Sequence, residues 1–158
     1  MLKFIAITSC LVLGCQAALA DDSEKLIGTW KLNSCMVQFQ DGRASRSCAE
    51  IPVGYIILTA QGRMMGLQED EARKPGKTDE EQAALYRTVF AYTGKYRLEG
   101  DKWITKVDAA WNPAWRGTEQ MRFYKLEADL LQVTSAWAPS PVLPGVVVRL
   151  VLAWEREK

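Results

Sequence analysis

The segment YTGKYRLEGDKWITKVDA, residues 92–109, carries the plainest structural pattern in the chain. In its first half, apolar or small side chains alternate with polar ones such as Lys95 and Arg97. A period of two is typical of a strand that buries one face and exposes the other. The residues EGDK at 99–102 are typical of a hairpin turn, and the alternation resumes at Trp103. The segment therefore predicts two antiparallel strands joined by a tight turn.

The same pattern recurs on both sides of this hairpin. The other segments with strand composition, separated by turn signals, are residues 28–39, 53–60, 63–67, 117–126, 130–137 and 146–155. About eight short antiparallel strands in one small domain favour a closed barrel, because closure removes exposed sheet edges. A β-sandwich is the alternative from pattern alone. An eight-stranded barrel has room for one small ligand.

A single helix is predicted, at about residues 79–90. Thr78 and Glu81 have the spacing of a capping box at its start. Four apolar residues would form one stripe on this helix: Leu85, Tyr86, Val89 and Phe90. The charged residues 69–77 before it predict an exposed loop.

The composition excludes several classes of function. The chain has 158 residues, which suits one domain, and 20 Lys and Arg residues against 19 Asp and Glu residues. A net charge of +1 offers no field that would steer nucleic acid to the protein. The chain has no histidine, which excludes histidine-based triads, metal sites and general bases. No carboxylate pair or phosphate-binding glycine loop stands out, so we predict no catalytic residues, no metal and no cofactor.

Residues 1–20 have the order of features of a cleaved secretory signal peptide: a basic start, a short apolar run and small residues before Asp21. The apolar run is too short to span a bilayer, and no later segment is long and apolar enough to do so. We expect an exported protein, periplasmic or secreted, with one domain at residues 21–158. The alternative is a lipid anchor in the bacterial envelope, because residues 12–15 resemble a lipobox that ends at Cys15.

Two cysteines, Cys35 and Cys48, remain after removal of the signal peptide. Two cysteines in an exported chain pair more often than they stay free. They flank the turn predicted around Asp41 and Gly42, so their strands can meet. A zinc site is disfavoured because no third ligand accompanies the two thiols.

Five segments, in order, resemble the bacterial lipocalin-like domain family. They are LIGTWKL at 26–32, PVGYIILTAQGRM at 52–64, AYTGKY at 91–96, WNPAWRGTEQMR at 111–122 and LAWER at 152–156. The resemblance implies a small antiparallel barrel with a helix inserted before the middle strands. The family usually has a histidine in the strand before the Asn-Pro turn, where this chain has Thr105 and Lys106.

Arg122 is the most informative candidate for a binding residue. It alternates in phase with Gln120, Tyr124 and Leu126, so all four share one strand face. If Tyr124 points into the barrel, Arg122 does too, and its guanidinium could bind a ligand carboxylate. The alternatives are an ion pair with an acid of the fold or an outward-facing side chain.

Aromatic residues supply the remaining candidates. The hydroxyls of Tyr55, Tyr92, Tyr96 and Tyr124 could orient a ligand in an apolar cavity, although core tyrosines are an equally good interpretation. Trp111 and Trp115 flank an Asn-Pro turn and could form a gate at the rim. The alternative is a loop folded onto the end of the barrel.

Three functions fit these residues. The first is non-catalytic binding of a small apolar ligand, with or without a carboxylate. The second is an envelope protein-interaction module with a filled barrel, and the third is a cofactor-free isomerase or cyclase. A cavity above ~300 Å³ would favour the first or the third.

Overall fold

The computed structural model describes residues 22–43, 45–140 and 143–158. The predicted signal peptide and Cys15 lie outside these residues. The elements, in chain order, are α1 Ser23–Leu26, β1 Gly28–Phe39, β2 Arg46–Ser47, β3 Pro52–Leu58, β4 Arg63–Asp70, α2 Asp79–Tyr86, β5 Phe90–Glu99, β6 Lys102–Ala110, a 3₁₀ turn Pro113–Trp115, β7 Glu119–Glu127, β8 Leu130–Ser135, β9 Ala138–Pro139 and β10 Val147–Arg156.

The strands form one antiparallel sheet that closes on itself. The order is β1-β3-β4-β5-β6-β7-β8-β10, and β10 returns to pair with β1. Leu32 lies opposite Trp154 across that seam, and Trp30 lies opposite Arg156. The short strands β2 and β9 add to β1 and β10. The predicted eight-stranded barrel is confirmed.

One end of the barrel is closed by α1 and the start of β1. Leu26 and Trp30 are completely buried, and the Trp30 indole donates to the Leu26 carbonyl at 2.9 Å. The Arg156 guanidinium carbon lies 4.2 Å from the centroid of a Trp30 ring. Arg156 also donates to the Ile27 carbonyl at 2.9 Å. The cation–π contact and the hydrogen bond of Arg156 together fix the last strand to the segment where α1 leads into β1.

Two glycines permit close backbone contacts. Gly28 has φ +137°, and a Cβ there would lie 2.9 Å from Arg156 Nη1. A side chain at Gly94 would overlap the Lys106 carbonyl, where β5 and β6 change register. Any other residue at Gly94 would displace the barrel wall, whereas one at Gly28 would strain the backbone and push aside the flexible end of the Arg156 side chain.

The inserted helix begins as predicted but ends earlier. Thr78 and Glu81 form the capping box, with Glu81 N donating to Thr78 Oγ1 at 3.3 Å. The helix stops at Tyr86 and buries none of its residues. Phe90 instead opens β5 opposite Gln68. The β-branched residues just before Phe90 disfavour a further helical turn, and pairing with β4 takes the segment into the sheet.

The loop predicted from residue 69 begins two residues later, because β4 continues to Asp70. Glu69 and Asp70 pair with the start of β3. The Asp70 carboxylate accepts hydrogen bonds from the backbone N–H groups of Glu50 and Ile51 at 2.8 and 3.1 Å. These N–H groups, with that of Ala72, hold the pKa of Asp70 below its usual value.

The disulfide between Cys35 and Cys48 is confirmed. Cys35 is buried on β1, and the two Cα atoms are 5.5 Å apart. The Gln68 side-chain amide donates to Sγ of Cys35 at 3.3 Å and to Sγ of Cys48 at 3.5 Å. The bond therefore ties the segment after β2 to the inner wall of the barrel.

Removal of this disulfide should destabilise the barrel without changing its fold. The bond closes a loop with a sequence separation of 13 residues. The double variant Cys35→Ala, Cys48→Ala should lose about 2–3 kcal/mol of unfolding free energy, because a loop of this size constrains the unfolded chain by that amount. Urea unfolding measures the loss. Reduced wild type should match the variant, and an unchanged unfolding free energy in the variant would contradict the assignment.

Candidate functional site

A cavity of about 870 Å³ occupies the barrel and opens at the end opposite α1. Its deep wall is apolar and includes Ile56, Met64, Leu152 and Trp154. The residues around its mouth come from the connections that follow β1, β4, β6 and β8, with Cys48, Thr88, Trp115 and Ser140 among them. The sheet geometry brings these four connections together around the mouth, because alternate connections of an antiparallel barrel lie at the same end.

Arg122 lines this cavity from β7, between Trp103 on β6 and Ser135 on β8. Tyr124, which shares its strand face, packs against the buried core. The alternation along β7 left the direction of Arg122 open, and the lining of the cavity shows that Arg122 faces inward.

The Arg122 guanidinium has no acidic partner among the residues that the structure describes. It donates to the Met121 carbonyl at 2.8 Å and, over 3.5 Å, to the Gln120 side-chain oxygen. Its carbon lies 5.9 Å from the centroid of a Trp115 ring. An Arg in an apolar cavity, held by neutral groups alone, has the charge and the geometry to bind an anion.

Four aromatic side chains form a cluster beside Arg122. Trp115 lies 5.4 Å from Tyr92 and 4.9 Å from Trp111, between ring centroids. Phe90 lies 4.7 Å from Trp111. Phe90, Tyr92 and Trp115 line the cavity, whereas Trp111 packs behind them. The Asn-Pro loop is therefore folded onto the barrel end, and one of its two tryptophans also faces the cavity.

The environment of Tyr92 keeps its hydroxyl protonated. Burial raises the pKa of Tyr92, and the nearby positive charge of Arg122 opposes that rise with a smaller effect. Tyr92 therefore presents a neutral hydroxyl beside a cationic guanidinium, and not a phenolate.

The other predicted site residues lie outside the cavity lining. Tyr55 alternates with buried Gly54 and Ile56, which puts it on the outer face of β3. Tyr96 packs 5.9 Å from Trp103, measured between ring centroids, and belongs to the core periphery with Tyr124. Gln120 donates to Thr118 Oγ1 at 3.0 Å. Of the eight candidate residues, only Tyr92, Trp115 and Arg122 line the cavity.

Several lining residues were not predicted as site residues from the sequence, among them Phe90, Arg149 and Trp154. Arg149 lies near the mouth, donates to Gln38 Oε1 at 2.8 Å and stacks 4.6 Å from the centroid of a Trp137 ring. Arg149 is the single charged residue in the apolar run from Val146 to Trp154, and this pattern could have marked it as a candidate site residue. Trp154, on the last strand, also borders the cavity.

Thr105 stands where the family pattern usually has histidine, and it has a structural role here. It is buried, and its Oγ1 accepts the Trp103 indole N–H at 3.0 Å. In the described part of the chain, no three potential metal ligands lie together. None of the described helices is long and apolar enough to cross a membrane.

Comparison with known proteins agrees with this geometry. A family model described as a lipocalin-like domain matches residues 27–157, which include all of the barrel strands. A search of the curated proteins found no match.

Two arginines should differ in their effect on stability. Arg122→Met should change the unfolding free energy by less than about 1 kcal/mol, because no carboxylate of the described residues pairs with that guanidinium. Arg156→Met, the matched control, should cost about 1.5–3 kcal/mol, since it removes a charged hydrogen bond to a backbone carbonyl. Urea unfolding of both variants measures this. An equal loss in the two variants would make Arg122 a structural residue.

Proposed function

Because the chain belongs to the lipocalin-like domain family, we propose that it binds a small apolar molecule that carries a carboxylate. The molecule lies inside the barrel with its carboxylate at Arg122, and the protein releases it chemically unchanged. The observation that carries this proposal is a guanidinium in an apolar cavity, without an acidic partner among the described residues.

The size of the cavity supports this proposal. At about 870 Å³, it falls within the range of sites that enclose small organic ligands, roughly 300–1,000 Å³. The filled-barrel alternative requires an interior without such space. The apolar wall around Ile56, Met64 and Leu152 suits a hydrocarbon chain or ring system, which gains free energy by leaving water.

The electrostatics of the mouth support an anionic headgroup. A guanidinium that is partly withdrawn from water is stabilised when it pairs with a carboxylate, whose two oxygens match its N–H groups. Tyr92 adds a neutral hydroxyl nearby, and Trp115 covers one side of the guanidinium. A ligand that enters headgroup-last would leave its carboxylate at this level and its apolar part below.

The same residues favour binding over catalysis. A general base must lose its proton near neutral pH, and the raised pKa of Tyr92 acts against that. Guanidinium groups in proteins are permanent cations and do not serve as general bases. The pair can therefore orient an acid but has poor means of moving protons.

Export completes the proposed function, with delivery or sensing of the ligand outside the cytoplasm. The Cys35–Cys48 disulfide supports it, since such bonds persist in oxidising compartments. The intact mass of protein from the envelope fraction should correspond to a chain that begins at Asp21. A mass that includes residues 1–20 would contradict export, and a lipidated Cys15 at the N-terminus would favour the anchored alternative.

The role of Arg122 is tested by binding of dodecanoic acid. Arg122→Met keeps most of the side-chain bulk and removes the charge, so affinity should fall by about 1.5–3 kcal/mol, the scale of a charged hydrogen bond. Quenching of tryptophan fluorescence follows the titration. Dodecanol, which lacks the charge, should bind both proteins alike.

Arg116→Met is the matched control for general charge effects. Arg116 is exposed beside Trp115 and is not part of the lining. Its variant should bind dodecanoic acid like the wild type. Equal affinity of wild type and Arg122→Met for the acid would reject Arg122 as the anchor.

A further inference from the structure

Three aromatic side chains border the cavity next to Arg122: Phe90, Tyr92 and Trp115. The ring centroids of Tyr92 and Trp115 lie 5.4 Å apart, and the Arg122 guanidinium carbon lies 5.9 Å from the centroid of a Trp115 ring. A carboxylate that pairs with Arg122 therefore brings the part of its ligand that follows the carboxylate against these rings.

These rings can be reached from inside the barrel. Phe90 and Tyr92 extend from β5 into the cavity lining, and both of them, like Trp115, are partly exposed. By contrast, Trp30 and Trp103, which pack the core, are 0% and 3% exposed. The cluster thus differs from the packed aromatic residues of the core, because it offers ring surface to a ligand.

The wall beside Tyr92 lacks a side chain. Gly66 lies opposite Tyr92 in the pairing of β4 with β5, and it also lines the cavity. Neither a positive φ nor a register shift requires glycine at this position. Among the described residues, a Cβ there would have two neighbours within 4 Å, Met64 Cε at 3.4 Å and Ile56 Cγ1 at 3.8 Å. Glycine inside a strand weakens it and often marks a place where a ligand approaches closely, so the space beside Tyr92 suits a flat group.

We propose that the ligand is an aryl carboxylic acid, whose aromatic ring packs against Phe90, Tyr92 and Trp115 while its carboxylate pairs with Arg122. This inference rests on the proposed function, which supplies the carboxylate at Arg122.

The attraction between aromatic rings is the physical basis for this choice. Aromatic pairs favour edge-to-face or offset contacts with ring centroids about 4.5–7 Å apart, and the four contacts within the cluster lie in that range. A saturated ring or an alkyl chain gains only the burial of its surface. The wall around Ile56, Met64 and Leu152 is aliphatic, which suits an alkyl substituent on the aromatic ring.

The test compares 4-hexylbenzoic acid with trans-4-hexylcyclohexanecarboxylic acid by isothermal titration calorimetry. The two acids share the carboxylate, the alkyl chain and the number of carbon atoms, and they differ only in the ring. The saturated ring is thicker and at least as apolar, so burial alone would favour it. Wild type should bind the aromatic acid about two- to tenfold more tightly, the range expected for an aromatic pair.

Trp115→Leu removes the ring next to Arg122 and should bring the ratio of the two affinities towards one. Trp137→Leu is the matched control, because Trp137 also stacks on an arginine, 4.6 Å from Arg149, but is not part of the lining. Its ratio should equal that of wild type. If Trp115→Leu does not fold, Tyr92→Leu replaces it and should lower the ratio in the same way.

The outcomes separate this inference from the proposed function. Equal binding of the two acids by wild type, or tighter binding of the saturated acid, would overturn the aromatic ligand and leave carboxylate binding at Arg122 intact. A preference for the aromatic acid that is unchanged in Trp115→Leu and Tyr92→Leu would overturn the role of the cluster. Failure of wild type to bind either of these acids or dodecanoic acid would overturn the proposed function as well.

Discussion

The pairing of the first strand with the last is the constraint on which the rest of this molecule depends. Once β10 returns to β1, the sheet has no long exposed edge, and its inner face surrounds a closed space. The same seam brings Arg156 over Trp30 and Trp154 beside Leu32. One end is then sealed by Leu26 and Trp30, and the cavity can open only at the other.

Hydrogen bonds of buried polar groups stabilise the sealed end of this barrel, and the open end is available for binding. The sealed end contains satisfied polar groups: the Trp30 indole bonds to Leu26, and Arg156 bonds to Ile27. The cavity wall is different, because the Arg122 guanidinium has only neutral hydrogen-bond partners among the described residues. A partly buried charge held in this way costs stability, and in the proposed function a ligand carboxylate offsets that cost.

Alternation in the sequence was sufficient to predict antiparallel strands, but it left a barrel and a β-sandwich both open. The hairpin at residues 92–109 and β7 alternate clearly, and the phase of β7 placed Arg122 on the same face as Tyr124 and Leu126. Alternation fails where both faces are apolar. In β3, PVGYIIL, no phase can be read, and Tyr55 proved to lie outside the barrel. Val89 and Phe90 fitted a helical stripe equally well, and pairing with β4 decided between the two.

Contacts across the barrel were beyond prediction from sequence. The indole Nε1 of Trp154 has no acceptor among the described residues, and this depends on strands that are far away along the chain. Likewise, the Asn-Pro loop could have formed a gate or a cover until its packing on Phe90 was known. Such features depend on which side chains meet through space, and single-chain periodicity does not encode that.

The most direct test of this account is mass spectrometry of the small molecules extracted from protein purified under native conditions from its own cells. Wild-type protein should carry an apolar acid in near-equal molar amount, and Arg122→Met prepared in parallel should carry much less. The claim that this barrel binds an apolar acid would be contradicted if the wild type yielded no extractable acid. It would also be contradicted if the wild type yielded no more of that acid than Arg122→Met.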